Sequence, residues 1–250
     1  MIILNKDIIK LEAVSSTNDF AKDILLKSIP KADITIIDTK EQTKGRGQRG
    51  NHWESEKNKN ISLSIIIKPI FLKPNLQFYL SMSVSLAIVN CLTEFVEHIS
   101  IKWPNDIYIN NKKICGILIE NRLQGDSIQY SIIGIGLNIN QLDFSDWIPN
   151  PTSLILEKGI EIDIESLKTR LIKCFEEEYS NLINHDFETI SREYLKHLYL
   201  RNILSQFRDS IGLFEGKIKS VDSSGYIEIE KLNNEIKYYT FKEVEYIKPI

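Results

Sequence analysis

The fold is decided by residues 107–138, which read IYINNKKICGILIENRLQGDSIQYSIIGIGLN. Three runs rich in β-branched residues are separated there by Asn110-Asn111 and by residues 124–126 (QGD), and both separators are sequences that favour tight turns. Strands joined by such short turns usually pair with their neighbours in the chain. The stretch therefore predicts an antiparallel meander.

Outward from this stretch, the chain alternates between helical and β-rich patterns. Towards the N-terminus we predict a leading strand, a short helix capped within residues 15–19 (SSTND), buried strands at 34–37 and 61–68, and a long helix that starts at Pro74 with an apolar stripe reaching Phe95. Towards the C-terminus, helices after Asp163 and over roughly 187–199 give way, around residue 205, to alternation with period two. The chain is thus predicted to be an α/β (α+β) protein that ends in a small β-barrel domain.

Composition argues against several functional classes. The 250 residues carry 31 Lys and Arg against 34 Asp and Glu, for a net charge of −3, which argues against broad nucleic-acid binding. The N-terminus lacks a secretory pattern and no apolar run is expected to approach a bilayer span, so we expect a cytoplasmic protein without a membrane segment. Three cysteines without CxxC spacing and four histidines without ligand spacing predict neither a disulfide framework nor a protein-bound metal.

A glycine-rich stretch, residues 45–50 (GRGQRG), matches the G-x-G-x-x-G pattern of dinucleotide-binding sites, but its context does not fit. A dinucleotide fingerprint opens a helix, whereas this stretch leads into a predicted strand, and no Lys-Ser or Lys-Thr completes a P-loop. What remains is a loop whose glycines let backbone N–H groups approach an anion, with Arg46 and Arg49 as guanidinium donors to phosphate oxygens. A flexible surface loop without a ligand is the alternative.

Two further constellations have both a functional and a purely structural interpretation. The turn at Asn110-Asn111 is expected to bring Lys113 close to Asp106, and this pair either serves an acyl-phosphate centre or is an ordinary surface ion pair. Two glycines interrupt the strand before Asn138. That pattern predicts either the close approach of a ligand that Asn138 contacts or a β-bulge.

Five motifs, taken together and in this order, resemble those of the biotin–protein ligases. They are Ser16-Thr17-Asn18, Gln42 with residues 45–50, residues 102–106 (KWPND), Lys113 with residues 116–120 (GILIE), and residues 134–138 (GIGLN). Most are weak alone, but their shared order and the small β-domain expected after them extend the resemblance to essentially the whole chain. The resemblance implies a ligase domain at 1–204, built on a mixed, largely antiparallel sheet flanked by helices, and an SH3-like barrel at 205–250.

The resemblance also implies an activity, that of a biotin–[acetyl-CoA-carboxylase] ligase. Such an enzyme forms biotinyl-5′-AMP from biotin and ATP, with Mg²⁺ held through the ATP phosphates, and transfers biotin to a lysine of a biotin carboxyl carrier protein. By motif match, the residues expected to bind biotin are Ser16, Thr17, Asn18, Gln42, Arg46, Gly47, Gln48, Lys113 and Gly116. The residues expected to bind ATP or the adenylate are Arg46, Arg49, Trp53, Lys113 and Asn138, and those expected to act in catalysis are Lys113, Arg46 and Asp106.

Two departures and two alternatives accompany this interpretation. Many relatives carry basic residues where this chain has Gln48 and Asn51, which puts loop closure and retention of the adenylate in question. Only about 15 residues precede the first motif, too few for the winged helix of repressor relatives, so we expect a ligase without operator binding, either monomeric or as a homodimer. The alternatives are a lipoate or octanoate ligase or transferase of the same fold, and a non-catalytic biotin-binding regulatory module.

Overall fold

The computed structural model describes residues 3–249, without the side chains of Arg49, Lys248 and Pro249, and it contains two β-sheets with helices packed on the larger one. The strands of the larger sheet are β1 (Lys6–Leu11), β2 (Ile34–Thr39), β3 (Asn60–Ile67), β4 (Ile99–Lys102), β5 (Asp106–Ile109), β6 (Lys112–Gln124) and β7 (Ser127–Asn138). The helices are α1 (Thr17–Lys27), α2 (Phe78–Leu92), α3 (Leu154–Lys158), α4 (Ile164–Ile183) and α5 (Phe187–His197). The smaller sheet consists of β8 (Leu204–Arg208), β9 (Leu213–Val221), β10 (Ile227–Lys231), β11 (Ile236–Tyr239) and β12 (Glu245–Pro249).

The larger sheet has the strand order β1-β2-β3-β7-β6-β5-β4, and its neighbouring strands are antiparallel except for β1 and β2. The predicted meander is confirmed as β5-β6-β7, and its two turns contain Asn110 at a φ of 53° and Gly125 at a φ of 58°. The predicted fold class, a mixed and largely antiparallel sheet flanked by helices, is therefore confirmed. The sequence does not predict β4 or α3, because elements of 4 and 5 residues are too short to show a period of their own. The strand β5 is equally short, but the turn residues Asn110-Asn111 that follow it mark its position.

Helices cover both faces of the larger sheet. On one face lies α1, where Ala21 and Leu25 pack against Ile37, Ile66 and Ile132. The other face carries α2, α4 and α5, and its apolar core continues into the smaller sheet. Because β3 is covered on both sides, all of its residues are buried, including two serines. Hydroxyl groups in a buried strand need hydrogen-bond partners, and those partners belong to the site at the end of this sheet.

The long helix predicted after Pro74 is interrupted. Pro74 opens a 3-10 turn, α2 begins only at Phe78, and it ends at Leu92, so Phe95 of the predicted stripe lies beyond it. The segment Pro74–Leu92, 19 residues, is long and apolar enough to cross a membrane, contrary to the expectation from the sequence, and it is the one such helix in residues 3–249. Of its most apolar stretch, 67% is buried inside the protein, as expected for a helix that packs in the core.

The smaller sheet has the order β11-β10-β9-β8-β12 and is antiparallel throughout. It confirms the all-β unit expected at the end of the chain. The hydrogen bonds that join the smaller unit to the larger one include three from the loop between β9 and β10: the Trp103 indole N–H donates to the carbonyl oxygen of Gly225 (3.0 Å), the Phe78 N–H donates to that of Ser223 (3.3 Å), and the Ser224 hydroxyl donates to that of Asn75 (3.4 Å). The expected domain boundary between residues 204 and 205 falls at the start of β8 and stays a prediction.

Candidate active site

A cavity of about 620 Å³ opens where β3, β6 and β7 run beneath two long loops. We call these loops the glycine loop, residues 41–59, and the Trp147 loop, residues 139–153. The cavity is lined by all but one of the predicted site residues, namely Ser16, Thr17, Asn18, Gln42, Arg46, Gly47, Gln48, Trp53, Asp106, Lys113, Gly116 and Asn138. The exception is Arg49, whose side chain lies outside the described residues.

The N-terminus of α1 forms one wall of the cavity. Ser16 is its N-cap, with the hydroxyl oxygen 3.4 Å from the N–H nitrogen of Asp19. Thr17 donates from its backbone N–H (2.9 Å) and from its hydroxyl (3.1 Å) to the side-chain oxygen of Gln42, whose backbone is bridged to that of Val14. The predicted cap is therefore confirmed, and the polar groups that make it also face the cavity.

Asn18 has all of its side-chain hydrogen-bonding groups engaged in this wall. Its Oδ1 accepts from the Ser64 hydroxyl (2.6 Å), and its Nδ2 donates to Leu118 O (3.3 Å) and to Glu120 Oε2 (2.9 Å). Gly134 stands opposite, where a Cβ atom would lie 2.4 Å from Asn18 Oδ1, so a larger residue would displace the amide. Ser64 is not predicted from the sequence. The signal that identifies it is a pair of serines in an otherwise apolar strand.

The indole of Trp53 lies over the floor of the cavity. Gly116 and Gly136 pair with each other on β6 and β7, and Cβ atoms there would lie 2.9 and 2.3 Å from the ring. The indole lies directly beside Gly116, one of the residues expected to bind biotin. The Trp53 Nε1 is buried and has no hydrogen-bond partner among the described residues, so it is a donor available to a ligand. The ring centre lies 5.7 Å from Lys113 Nζ, within range of a cation–π contact.

The substitution Gly136→Ala tests this cradle for the indole. The added methyl group overlaps the ring, so Trp53 must leave its position, and we expect the free energy of unfolding to fall by about 1–3 kcal/mol. In a Trp53→Ala background the same change is expected to cost much less, because the ring that it displaces is gone. Urea unfolding of both single variants and the double variant measures the difference. If the two single losses of unfolding free energy add up in the double variant, the Gly136 methyl group does not act by displacing the Trp53 ring.

The predicted proximity of Lys113 and Asp106 is confirmed, with Lys113 Nζ 2.7 Å from a carboxylate oxygen of Asp106. The side chains are only 26% and 21% exposed, so the pair is more buried than an ordinary surface ion pair. The Lys113 backbone is held by the Trp147 loop: its N–H donates to Asn150 O (2.7 Å) and its carbonyl accepts from the Thr152 N–H (2.9 Å). The site thus contains a fixed ammonium group beside a carboxylate.

Arg46 forms ion pairs at the rim of the cavity, with Asp19 and with Glu120 (3.2 Å). Glu120 also accepts a hydrogen bond from Lys22 (2.8 Å), so this one carboxylate accepts hydrogen bonds from two cations and from the Asn18 amide. Burial alone would raise the pKa of Glu120, but the hydrogen bonds from Lys22 and Asn18 and the charges of Lys22 and Arg46 outweigh it and hold that pKa below its usual value. Glu120 is therefore an anion that holds the Arg46 guanidinium beside α1.

Asn138 ends the cavity floor at the C-terminus of β7. Its Nδ2 donates to Thr152 O (2.9 Å), and its buried Oδ1 has no partner in the part of the chain that the structure describes.

The Trp147 loop above Asn138 is not predicted as part of the site. It contributes Phe144, Trp147, Ile148, Pro149 and Pro151 to the lining. Its cluster of aromatic and proline residues in a long polar segment is the signal that identifies it.

The lining also includes Lys102, from the quoted KWPND motif, and Phe241, from the turn between β11 and β12. Burial lowers the pKa of Lys102, although the nearby charge of Asp106 opposes that shift. Within residues 3–249, no group of three or more His, Cys, Asp or Glu is arranged to hold a metal ion. What the cavity offers a ligand is hydrogen-bonding groups and fixed cations.

Comparison with known proteins gives consistent matches. Residues 11–138 match the family described as the biotin/lipoate A/B protein ligase family. The chain is 30% identical over 243 residues to the bifunctional ligase/repressor BirA of Bacillus subtilis, covering 95% of this chain and 74% of that protein. It is 27% identical over 197 residues to the biotin–[acetyl-CoA-carboxylase] ligase of Paracoccus denitrificans, covering 74% and 80%. The solved structure of the biotin protein ligase from Aquifex aeolicus, in complex with biotin and ATP, matches with a TM-score of 0.79 at 25% identity, covering 97% of this chain and 99% of that one.

Proposed function

The chain belongs to the biotin/lipoate A/B protein ligase family, and from that premise we propose how its residues activate biotin and attach it to a protein. The reaction is that of a biotin–protein ligase, which forms biotinyl-5′-AMP from biotin and ATP and transfers the biotinyl group to a lysine. Residues 1–204 form the ligase domain, and residues 205–250 form a C-terminal domain that reaches the cavity through Phe241.

The observation that carries this proposal is the order of groups along one face of β7. Gly134, Gly136 and Asn138 share that face because side chains alternate along a strand, and at ~3.3 Å per residue they span about 13 Å. The amide of Asn18 meets the first position, the indole of Trp53 lies over the second, and the unpaired Oδ1 of Asn138 ends the row. An elongated molecule with a neutral polar head at one end and a purine at the other matches this order.

The head pocket favours biotin over lipoate. Ser16, Thr17, Asn18 and Gln42 present uncharged donors and acceptors, and the ureido group of biotin offers both kinds of partner. A lipoyl head has no such groups and would gain no hydrogen bond from these residues, whereas each bond that the ureido group makes contributes about 0.5–1.5 kcal/mol. At the other end, Asn138 Oδ1 accepts a hydrogen bond from the amino group of adenine.

In the first half-reaction a carboxylate oxygen of biotin attacks the α-phosphorus of ATP, and the bond to pyrophosphate breaks. The Lys113 ammonium stabilises the negative charge that builds up on the phosphoryl oxygens. Arg46, Arg49 and the glycine-loop backbone at Gly47 and Gln48 hold the phosphates and then the adenylate. Arg46 must exchange its carboxylate partners for phosphate oxygens, and this exchange is easy because part-exposed ion pairs contribute only about 0–1 kcal/mol each.

In the second half-reaction the neutral ε-amine of the acceptor lysine attacks the acyl carbon, and an amide bond forms. AMP leaves with the electrons of the broken bond, and the amine gives up one proton to solvent. Asp106 accepts a hydrogen bond from the incoming amine and so directs its lone pair at the acyl carbon. The ion pair with Lys113 holds the carboxylate in position for this role. Both steps therefore depend on charge and orientation supplied by one pair of neighbouring strands.

Mg²⁺ is the proposed partner of the ATP phosphates. The described carboxylates in the cavity lining belong to Glu54 and Asp106, which are too few to form a cage for a cation that prefers six oxygen ligands. Phosphate oxygens and water would complete such a set, and the ion would supply further charge neutralisation when bound. The acceptor is a biotin-dependent carboxylase, and we assign the modified lysine to its biotin carboxyl carrier domain.

The test is pyrophosphate release by the purified protein with ATP, Mg²⁺ and one acid at a time, namely biotin, lipoate or octanoate, with mass spectrometry of the acyl-adenylate. We expect turnover with biotin and at least about a hundredfold less with the other two acids, since the head pocket loses its hydrogen bonds with them. Turnover with lipoate alone would make the chain a lipoate ligase. Binding of biotin without pyrophosphate release would identify a regulatory module.

A further inference from the structure

We propose that Glu54 is a latch that holds the glycine loop against the Trp147 loop, and that this latch determines how long the adenylate stays in the cavity. The inference rests on the proposed function, because it concerns the intermediate of that reaction. It assigns a positioning role to a residue that lies next to Trp53 in the chain. Glu54 acts through the two loops that it joins, and the reacting atoms are held by other groups.

The latch consists of contacts from one carboxylate to two residues of the opposite loop. Glu54 Oε2 accepts from the Ser145 hydroxyl, and Oε1 accepts from the Ser145 backbone N–H (3.2 Å) and from Gln141 Nε2 (3.4 Å). Donors from both the backbone and the side chain of Ser145 therefore converge on the same carboxylate. A carboxylate that accepts several hydrogen bonds is a stronger contact than a neutral pair in the same geometry.

Gln141 gives this latch a rigid base. Its side chain is buried, and its Oε1 accepts from the Glu56 N–H (3.0 Å) and from Asn60 Nδ2 (2.5 Å). Its Nε2 donates to the carbonyl oxygen of Asp143 (2.8 Å) as well as to Glu54. The start of the Trp147 loop is thus pinned to the end of the glycine loop from inside the protein. The Glu54–Ser145 contact, by contrast, lies at the outer side, because Ser145 is exposed.

The positions of the two tryptophans explain what the latch controls. Trp53, which precedes Glu54, fills the cradle over Gly136, and Trp147, which lies two residues beyond Ser145, forms part of the opposite wall. Holding Glu54 to Ser145 keeps both aromatic walls over the cavity. Releasing that contact lets the walls separate while the buried Gln141 contacts keep the loop bases in place. The adenylate must stay in the cavity until the acceptor lysine arrives. The exposed Glu54–Ser145 contact can break to open the cavity, while the buried Gln141 contacts keep the two loops attached to each other.

The experiment measures the rate at which preformed biotinyl-adenylate leaves the protein, using the full chain as Glu54→Ala, Ser145→Ala and the double variant. We expect Glu54→Ala to release the adenylate about tenfold faster, as the loss of charge-assisted hydrogen bonds allows. We expect a smaller increase for Ser145→Ala, because its backbone N–H still donates to Glu54. Single-turnover adenylate formation is expected to stay within about twofold, because the groups that stabilise the transition state are untouched. The double variant is expected to release the adenylate no faster than Glu54→Ala, since both changes break the same contact.

Glu56→Ala is the matched control. It removes the same charge from the same loop, and its side chain makes no hydrogen bond or ion pair with the described residues, so its release rate is expected to equal that of the wild type. Equal release rates for Glu54→Ala and Glu56→Ala would overturn the latch, and so would multiplicative effects of the two single variants. Thermal unfolding identifies any variant that fails to fold. In that case Ser145→Ala, which deletes only an exposed hydroxyl, decides the question alone.

The failure of the latch is distinguishable from the failure of the proposed function. If the wild-type chain forms no biotinyl-adenylate, the proposed function is wrong and the latch with it. If the wild type forms the adenylate and Glu54→Ala retains it equally long, only the latch is wrong.

Glu54→Gln gives a further readout that a merely structural role would not produce. Its amide oxygen still accepts from the Ser145 N–H, so we expect a release rate between those of the wild type and Glu54→Ala.

Discussion

Replacing Lys113 with alanine is expected to lower the rate of adenylate formation by about 10²–10³-fold, the usual effect of losing one donor aimed at transition-state charge. The ion pair with Asp106 (2.7 Å) holds the ammonium in the cavity, and hydrogen bonds to Asn150 and Thr152 hold the Lys113 backbone. Those backbone bonds survive the substitution, so the variant is expected to fold. Single-turnover pyrophosphate release with biotin and ATP measures the effect.

Lys112→Ala provides the control for this prediction. Lys112 carries the same charge one residue earlier, and its exposed side chain reaches only Glu157, at 3.5 Å, among its described contacts. We expect its rate to remain within about twofold of the wild type, because an exposed charge outside the cavity is screened by solvent. A normal rate for Lys113→Ala, or an equal loss in both variants, would show that the ammonium does not act on the phosphoryl oxygens.

Local patterns predict the parts of this fold that local interactions form. The meander follows from turn residues that lie next to the strands they join, and the α1 cap follows from hydroxyl and amide side chains at consecutive positions. The break after Pro74 follows less directly. A proline at the first turn is compatible with either a helix or a 3-10 turn. The helix α2 is buried on nearly all sides because it packs against the sheet and two helices, and an apolar stripe in the sequence does not predict such packing.

The site residues divide in the same way. Lys113 and Asp106 are separated by one short turn, so their proximity is predictable. The Trp147 loop is different, because its contact with the glycine loop joins positions 91 residues apart, as in Glu54 and Ser145. Neither residue type is unusual at its position. Only the closing of β7 against β3 brings the two loops together, and that pairing is a property of the whole sheet.

Replacing Arg46 with alanine is expected to let the intermediate escape rather than to prevent its formation. The guanidinium is proposed to close the glycine loop over the adenylate, and its loss removes charge-assisted hydrogen bonds to the phosphate. We expect the ratio of released biotinyl-adenylate to biotinylated protein to rise by about tenfold or more. Quantification of both products by mass spectrometry, with a carrier domain as acceptor, gives the ratio. Lys44→Ala is the matched control, since it removes an exposed cation of the same loop whose side chain makes no hydrogen bond or ion pair with the other described residues.

A purely structural role for Arg46 makes a different prediction, which Asp19→Ala tests. If the ion pair with Asp19 serves only to tie the glycine loop to α1, removing either partner opens the loop, and both variants release the adenylate equally fast. If the guanidinium acts on the phosphate, Asp19 competes with that phosphate for the same donors. Its removal then leaves retention unchanged or improves it, while Arg46→Ala still releases the adenylate. We expect the second outcome, because a part-exposed pair contributes only about 0–1 kcal/mol to holding a loop, whereas a phosphate enclosed by the loop gains more from the same donors.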